Sequence, residues 1–191
     1  MANVAVFLAN GFEETEMVAT VDVIRRAESK FKGSFPIVDL VSITDKIQVI
    51  GGHNITINAD KTISEINFDN YDCFILPGGV PGVPNLMESE VLMKNLKEQA
   101  SKDKVMAAIC AAPQILGKLG LVDNVEVTHY PGSDEFLDKA VKKPHYRAIA
   151  DGNIITGCSI GGALHFGLQI VDHFTSTEQM LEIQQSLVLN E

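Results

Sequence analysis

The chain has 191 residues, 46% hydrophobic and 21% charged, proportions typical of one soluble globular domain over residues 1–191. The formal net charge of −10 disfavours direct binding to nucleic acid or to an anionic membrane, because both partners are also negative. No apolar run approaches the roughly 18 residues of a membrane-spanning helix, and we identify no signal peptide. The three cysteines lie far apart, which favours a reducing cytoplasm over a disulfide framework.

The amino-terminal half of the chain alternates apolar runs with helical patterns. Residues 4–8 are typical of a buried strand, and residues 10–28 follow with Met17, Val21 and Ile24 at helical spacing. The pattern then predicts a strand in "FPIVDLVSI", two short strands around the diglycine of "QVIGGHNITINAD", and a strand in "YDCFILPGG" that runs into a second diglycine.

The carboxyl-terminal half repeats this alternation. Residues 89–101 predict an amphipathic helix and residues 104–109 a strand, and a short helix over 112–119 tolerates Pro113 in its first turn and ends at Gly120. The remaining predictions are strands over 125–128, 146–150 and 154–156, a largely buried helix in "GGALHFGLQIVDHF" and a capped amphipathic helix in "TSTEQMLEIQQSLVL".

Strands that alternate with helices predict an α/β fold with a mainly parallel sheet. Ligands of such sheets bind outside the carboxyl ends of the strands. Three segments follow predicted strands there: residues 11–16, residues 77–79 and Cys110. Their convergence would form a site.

Cys110 lies in "AAICAAP", where a strand stops and a helix begins. A side chain at such a turn projects toward a cleft, and the amino end of the following helix favours a thiolate, so Cys110 is a candidate nucleophile. The alternative is a buried cysteine that packs as a small hydrophobic residue. Cys73, in mid-strand, is interpreted as core, and Cys158 as either near the site or packed.

The other two segments offer backbone amides and carboxylates. The glycines at 78–79 could present an amide to a developing oxyanion, although a tight turn explains them equally well. Glu13, Glu14 and Glu16 complement the dipole of the predicted helix, and composition alone singles out none of them. A glutamate turned inward against a thiol would have a raised pKa and could transfer protons.

The histidines indicate one candidate base and no metal site. His129 follows a predicted strand and is the best candidate for a general base. His165 and His173 lie on the apolar helix and are interpreted as core or rim residues. No histidine or cysteine group has metal-ligand spacing, so we predict neither metal nor cofactor.

Together these residues resemble the ThiJ/PfpI superfamily, and within it the subgroup of the Parkinson's-disease-linked protein deglycase and its bacterial relatives. The resemblance covers almost the whole chain, through "VFLANGFEETE", "VDVIRRA", "YDCFILPGG", "AAICAAPQIL", "VTHYPG" and "DGNIITG" in order. "AAICAAP" and "GFEETE" are specific, whereas "LPGG" alone is not. The resemblance implies a flavodoxin-like three-layer sandwich and a homodimer.

The resemblance also implies roles for individual residues. It makes Cys110 the nucleophile, Glu16 the glutamate that hydrogen-bonds to it, and His129 the nearby histidine. The amides of Gly79 and Ala111 match the groups that bind an oxyanion.

Three departures from the family pattern bear on activity. Ala111 stands where protease and amidase members carry histidine, and His53 where the subgroup often has an arginine. Arg26 matches a second arginine that helps to line an anion pocket, so Arg26 and His53 are candidates for such a pocket. "CSIG" (158–161) replaces the subgroup's "RGPG", so anion binding and oxidation chemistry are expected to differ.

The resemblance implies a cofactor-free cysteine enzyme that acts on reactive carbonyls. Its activity would be glyoxalase-III-like conversion of methylglyoxal to lactate, or deglycation of glyoxal adducts on proteins or nucleotides. The alternative is a redox sensor or stress chaperone read out by oxidation of Cys110, and a weaker one is a cysteine hydrolase or amidase.

Overall fold

The strands form one large sheet and two small ones, in a computed structural model that describes residues 3–32 and 37–189. In chain order the strands are β1 (Asn3–Leu8), β2 (Ile37–Ser42), β3 (Gln48–Ile50), β4 (Thr56–Asn58), β5 (Lys61–Thr62), β6 (Cys73–Leu76), β7 (Val105–Ile109), β8 (Glu126–Val127), β9 (Val141–Lys142), β10 (Ala148–Asp151) and β11 (Ile154–Gly157).

The large sheet has the order β10-β11-β7-β6-β1-β2-β5. Only β10, at one edge, runs antiparallel to its neighbour β11, and the other pairings are parallel. The predicted α/β fold with a mainly parallel sheet is therefore confirmed. The predicted hairpin is also present, as the antiparallel pair β3 and β4.

Helices cover both faces of this sheet and make a three-layer sandwich. Pairs of buried apolar positions at helical spacing turn one side of each helix onto the sheet. The first layer contains α1 (Glu14–Lys30), α5 (Ala163–Phe174) and α6 (Thr177–Ser186), and the second contains α2 (Gly82–Glu88), α3 (Glu90–Ala100) and α4 (Pro113–Lys118).

Strand β1 shows how the sequence builds both cores. Side chains of a strand alternate between faces, and here Val4 and Val6 pack toward α1 and α5 while Ala5 and Phe7 pack toward the other layer. All four are fully buried. The apolar run that predicted the strand is continuous because the strand is covered on both sides.

Three segments differ from the sequence prediction. The strand expected over 125–128 is reduced to β8, which lies outside the large sheet and pairs with β9, a strand that the sequence did not predict. Strand β5 is only two residues long, too short for a periodic signal. Helix α2 was missed because its glycine and proline residues suggest a loop.

The predicted strand in "FPIVDLVSI" begins outside the described residues, and its described part is β2. Within residues 3–32 and 37–189, no helix combines the length and apolar character that crossing a membrane requires.

Candidate active site

Three strand ends converge at the carboxyl edge of the sheet. The loop after β1 meets the loop after β6, where the Glu13 amide donates a hydrogen bond of 2.9 Å to the Gly78 carbonyl. The end of β7 is tied to β11, where the Cys110 amide donates to the Gly157 carbonyl at 2.9 Å. The parallel sheet thus brings the three segments into one place.

Cys110 has a strained backbone at this edge. Its φ of 65° lies in the left-handed region, which non-glycine residues rarely adopt. Hydrogen bonds hold the residue on both sides, because its own amide binds Gly157 and its carbonyl accepts the Tyr130 amide at 2.8 Å. The conformation turns the thiol toward Gly78 and Glu16.

Glu16 is the glutamate that turns inward. It is fully buried, and its Oε2 accepts a 3.0 Å hydrogen bond from the Gly78 amide. The Cys110 thiol lies against the same carboxyl. Its other oxygen, Oε1, meets no hydrogen-bond partner of good geometry in the described part of the chain. A buried, unpaired oxygen favours the protonated carboxyl, which can donate a proton.

The environment of the pair raises both of its pKa values. Burial raises the pKa of Glu16 to about 7, with a smaller upward contribution from Glu13, although hydrogen bonds with Cys110 and Gly78 oppose the shift. Burial also raises the pKa of the Cys110 thiol, followed by the charge of Glu16 and the hydrogen bond with it. The two groups therefore compete for protons as one unit.

The raised thiol pKa corrects one sequence-based expectation. The helix amino end was expected to favour the thiolate, but α4 has only six residues and begins with Pro113, which has no amide hydrogen. The amide of Ala111 alone lowers the pKa of the Cys110 thiol, and burial and Glu16 outweigh it. In a reaction of Cys110 at neutral pH, Glu16 is therefore the group placed to accept the thiol proton.

The two predicted oxyanion groups follow the residues that meet at the site, Ala111 after Cys110 and Gly79 after Gly78. Gly79 lies next to Gly78 with φ of 100°, a conformation that glycine adopts without strain. Within the described residues, the Gly79 amide donates no hydrogen bond, and the Ala111 amide is engaged only by the Cys110 sulfur. Both amides are thus available to an oxygen bound at Cys110.

A cavity of about 460 Å³ opens above these groups. Its size suits a small organic ligand. The predicted site residues that line it are Glu16, His53, Gly79, Cys110 and Ala111.

Two predicted residues do not line this cavity. The Nδ1 of His129 lies 2.8 Å from the carbonyl oxygen of its neighbour Tyr130, and Tyr130 takes the place at the cavity wall. Arg26 projects from α1 into solvent and pairs with Asp22 one turn away at 2.6 Å. The structure therefore does not support the anion pocket predicted for Arg26 and His53, or contact of His129 with the cavity.

His53 contacts the carboxyl groups of two glutamates of this chain, Glu14 and Glu13. Its Nδ1 lies 3.0 Å from Glu14 Oε2 and 3.7 Å from Glu13 Oε2. The hydrogen bond with Glu14 and the nearby carboxylates raise the pKa of His53. Glu14 Oε1 also accepts the backbone amides of His53 and Ile55, at 2.7 and 3.3 Å. The buried Glu14 carboxylate thus fastens the β3–β4 hairpin to α1.

Glu13, Glu14 and His53 could also offer ligand atoms to a metal ion. One such atom from each residue lies within 4.8 Å of the others. The sequence predicted no metal site, and this group could not be found by spacing because its members come from two separate elements. The hydrogen bond between His53 and Glu14 accounts for the arrangement without an ion.

Several lining residues were missed by the sequence analysis. Tyr130 and Ser133 lie in the loop after β8, and Ser159 and Ile160 lie in the segment that departs from the family pattern. The motif "VTHYPG" was an available signal for Tyr130 and "CSIG" for Ser159 and Ile160, whereas Ser133 lies just after the first motif. The other cysteines behave as interpreted: Cys73 is fully buried in β6, and half-buried Cys158 lies beside Ser159.

The comparison with known proteins agrees with the geometry. The sequence profile of the DJ-1/PfpI family matches residues 2–173. The chain belongs to the DJ-1/PfpI family. The DJ-1/PfpI relatives include the Parkinson disease protein 7 homolog of Danio rerio, which is 33% identical over 97% of this chain and 96% of its own length.

Other DJ-1/PfpI relatives differ in length. Protein DJ-1 homolog B of Arabidopsis thaliana is 31% identical over 95% of this chain, but the chain spans only 40% of that protein. The solved structure of Toxoplasma gondii DJ-1, described as oxidised, superposes with a TM-score of 0.89 at 28% identity and full coverage of both chains. The fold of the family is therefore shared across the whole chain.

In this DJ-1/PfpI site, the absence of a side chain at Gly78 leaves room for the contact between Cys110 and Glu16. A Cβ at this position would lie 2.6 Å from Cys110 Cβ and 2.6 Å from Glu16 Oε2. We expect Gly78→Ala to push the thiol and carboxyl apart and to lower any activity that needs both, by ~10²-fold for a displacement near 1 Å. Steady-state kinetics on the folded variant measures this loss.

The matched control is Gly161→Ala, since a Cβ there meets only the Ser159 hydroxyl, at 3.9 Å. Gly161→Ala should keep most of the activity. Equal activity of Gly78→Ala and wild type would show that contact between Cys110 and Glu16 is unnecessary.

Proposed function

We propose that the protein is a cofactor-free cysteine enzyme that converts reactive carbonyls, with glyoxalase-III-like hydration of methylglyoxal to lactate as its simplest activity. The observation that carries this proposal is the buried contact between the Cys110 thiol and the Glu16 carboxyl, whose pKa of about 7 suits proton transfer at neutral pH. Removal of glyoxal adducts from glycated proteins or nucleotides is a related activity proposed for this site.

The first step is addition of Cys110 to the aldehyde. Glu16 takes the thiol proton, a sulfur–carbon bond forms, and the electron pair of the carbonyl moves to its oxygen. The amides of Gly79 and Ala111 stabilise the negative oxygen before it receives the proton back, which gives a hemithioacetal.

The later steps move a proton between neighbouring carbons. Glu16 removes the proton from the former aldehyde carbon while the ketone oxygen receives a proton, which gives an enediol. A proton then returns to the adjacent carbon while the hydroxyl on the sulfur-bearing carbon loses its proton, which gives a thioester. Water hydrolyses the thioester and releases lactate and the free thiol. Glu16 serves in each transfer, because His129 does not line the cavity.

The direct test is an assay of freshly reduced, purified protein with methylglyoxal. We expect lactate, resolved by enantiomer-specific dehydrogenases, to accumulate in proportion to protein concentration. Methylglyoxal consumed without lactate formation would mean that it only modifies the protein, and would remove the enzymatic proposal.

A redox sensor or stress chaperone is the second candidate, and one observation favours it. The similar Toxoplasma gondii structure is described as oxidised, and Cys110 is partly exposed beside a protonatable carboxyl. In this function peroxide oxidises the Cys110 thiolate to sulfenate and then sulfinate, releasing water at each step. Mass spectrometry after peroxide treatment tests it, and unmodified Cys110 would count against it.

A hydrolase or amidase is the weaker alternative, since Ala111 replaces the histidine of those family members. We also propose a reducing cytoplasmic location, supported by the three unpaired cysteines.

A homodimer is expected from the family resemblance. Several apolar side chains of one chain are exposed near the hairpin and α1, among them Val18, Ile50 and Ile55. Burial of such residues commonly stabilises a dimer. Light scattering at micromolar concentration should give about twice the chain mass of 20.7 kDa, and a mass equal to one chain would contradict the expectation.

A further inference from the structure

The wall of the cavity carries negative charge and an aromatic ring but, among the described residues, no lysine or arginine. Glu13 lies at the wall with its side chain 13% exposed. Tyr130, 49% exposed, also lines the cavity. A carboxylate together with an aromatic face is the usual chemistry for binding an organic cation.

The carboxylate of Glu13 is not neutralised by its neighbours. Within the described part of the chain, its Oε1 accepts only the Thr15 amide, at 3.4 Å, and its Oε2 has His53 at 3.7 Å. His53 lies closer to Glu14, at 3.0 Å, so even a protonated His53 leaves one negative charge on this group of three. The charge of Glu13 reaches the reacting groups, because it contributes to the raised pKa of both Glu16 and Cys110.

We propose that the cavity is a binding site for carbonyl compounds that carry a positive charge, and that Glu13 is the residue that sets this preference. The inference rests on the proposed function and names its substrate class. Adducts on arginine or lysine side chains, or aldehydes with a quaternary ammonium group, suit the cavity. Carbonyl compounds that carry a carboxylate or phosphate are repelled. Of the two kinds of glycated substrate named in the proposed function, the inference therefore keeps protein adducts and excludes nucleotide adducts.

Two aldehydes of the same shape test this preference. Betaine aldehyde carries a trimethylammonium group, and 3,3-dimethylbutanal has a neutral tert-butyl group in its place. Each can add to Cys110 as a hemithioacetal, in which the sulfur–carbon bond forms and the carbonyl oxygen takes the thiol proton. Protection of Cys110 against alkylation by iodoacetamide, read by peptide mass spectrometry, gives a half-protecting concentration for each.

The two aldehydes differ in intrinsic reactivity, so the ratio of their half-protecting concentrations is compared between the wild type and each variant. We expect the preference for betaine aldehyde over 3,3-dimethylbutanal to fall about five- to tenfold in Glu13→Gln, the effect of one nearby charge in a partly solvated site. Glu90→Gln is the matched control, since Glu90, like Glu13, lies at the amino end of a helix but does not line the cavity. It should keep the wild-type preference.

Two outcomes separate this inference from the proposed function. Protection by both aldehydes with the same preference in wild type and Glu13→Gln would overturn the role of Glu13 and leave the carbonyl chemistry intact. Failure of both aldehydes to protect Cys110 would overturn the inference and the proposed function together. Should Glu13→Gln not fold, the preference of the wild type must still fall as salt is raised, and a salt-independent preference would contradict the inference.

Discussion

Replacement of Cys110 by serine is expected to reduce the turnover of methylglyoxal to the level of protein-free buffer. Serine keeps the size and the hydrogen bonds of the residue, but its hydroxyl is a far weaker acid than a thiol, and the carboxyl of Glu16 cannot take its proton at neutral pH. The loss should therefore exceed that of any other single replacement in the cavity. Lactate formation by equal concentrations of the two proteins measures it.

The other cysteines provide the controls for Cys110→Ser. Cys158 lies beside the cavity with its sulfur 3.7 Å from the Ser159 hydroxyl, so Cys158→Ser tests loss of a thiol close to the site but outside the reaction. It should retain turnover within a few-fold of wild type. Turnover that survives in Cys110→Ser and disappears in Cys158→Ser would transfer the nucleophile to Cys158.

Replacement of Glu16 by glutamine is expected to lower turnover by ~10²–10⁴-fold, the usual contribution of a general acid–base group. Glutamine fits the buried position and its side-chain oxygen can still accept the Gly78 amide, which binds Glu16 at 3.0 Å. It cannot carry a proton between the sulfur and the substrate carbons. Circular dichroism should show an unchanged fold, and kinetics should show the loss mainly in kcat.

The pH dependence of turnover should also change in Glu16→Gln. In the wild type the pair must lose one proton before Cys110 can act, so turnover should rise as the pH increases through about 7, the pKa of Glu16. The variant should lack this rise. Glu90→Gln again serves as control, and turnover of Glu16→Gln within a few-fold of wild type would remove Glu16 from the mechanism and favour the redox function.

The fold was largely predictable because its signals are local. The apolar runs of β1, β6 and β7 are continuous since those strands are buried on both sides, and their order in the chain sets the parallel sheet. The partner of the strand predicted over 125–128 was not predictable, because an apolar pattern does not reveal which strand pairs with it. Strand β9 is exposed and two residues long, so it carries no pattern at all.

The site was predictable in its centre and not at its edge. Cys110, Glu16 and Gly79 follow strand ends, and the sheet brings strand ends together. The roles of Glu13 and Glu14 were not visible, because both suit a helix amino end equally well, and only the hairpin shows that Glu14 binds the amides of His53 and Ile55. The position of His129 outside the cavity depends on one backbone turn, which spacing does not determine.

Alkylation of Cys110 by iodoacetamide in wild type and Glu16→Gln most directly tests the central claim, that thiol and carboxyl share protons as one unit. The charge of Glu16 and its hydrogen bond both raise the pKa of the thiol, so their removal should lower that pKa and increase the thiolate at neutral pH. We expect Cys110 of Glu16→Gln to be alkylated several-fold faster at pH 7 than in wild type, with Cys158 as internal reference, although turnover is lost. An equal or slower rate would contradict the account.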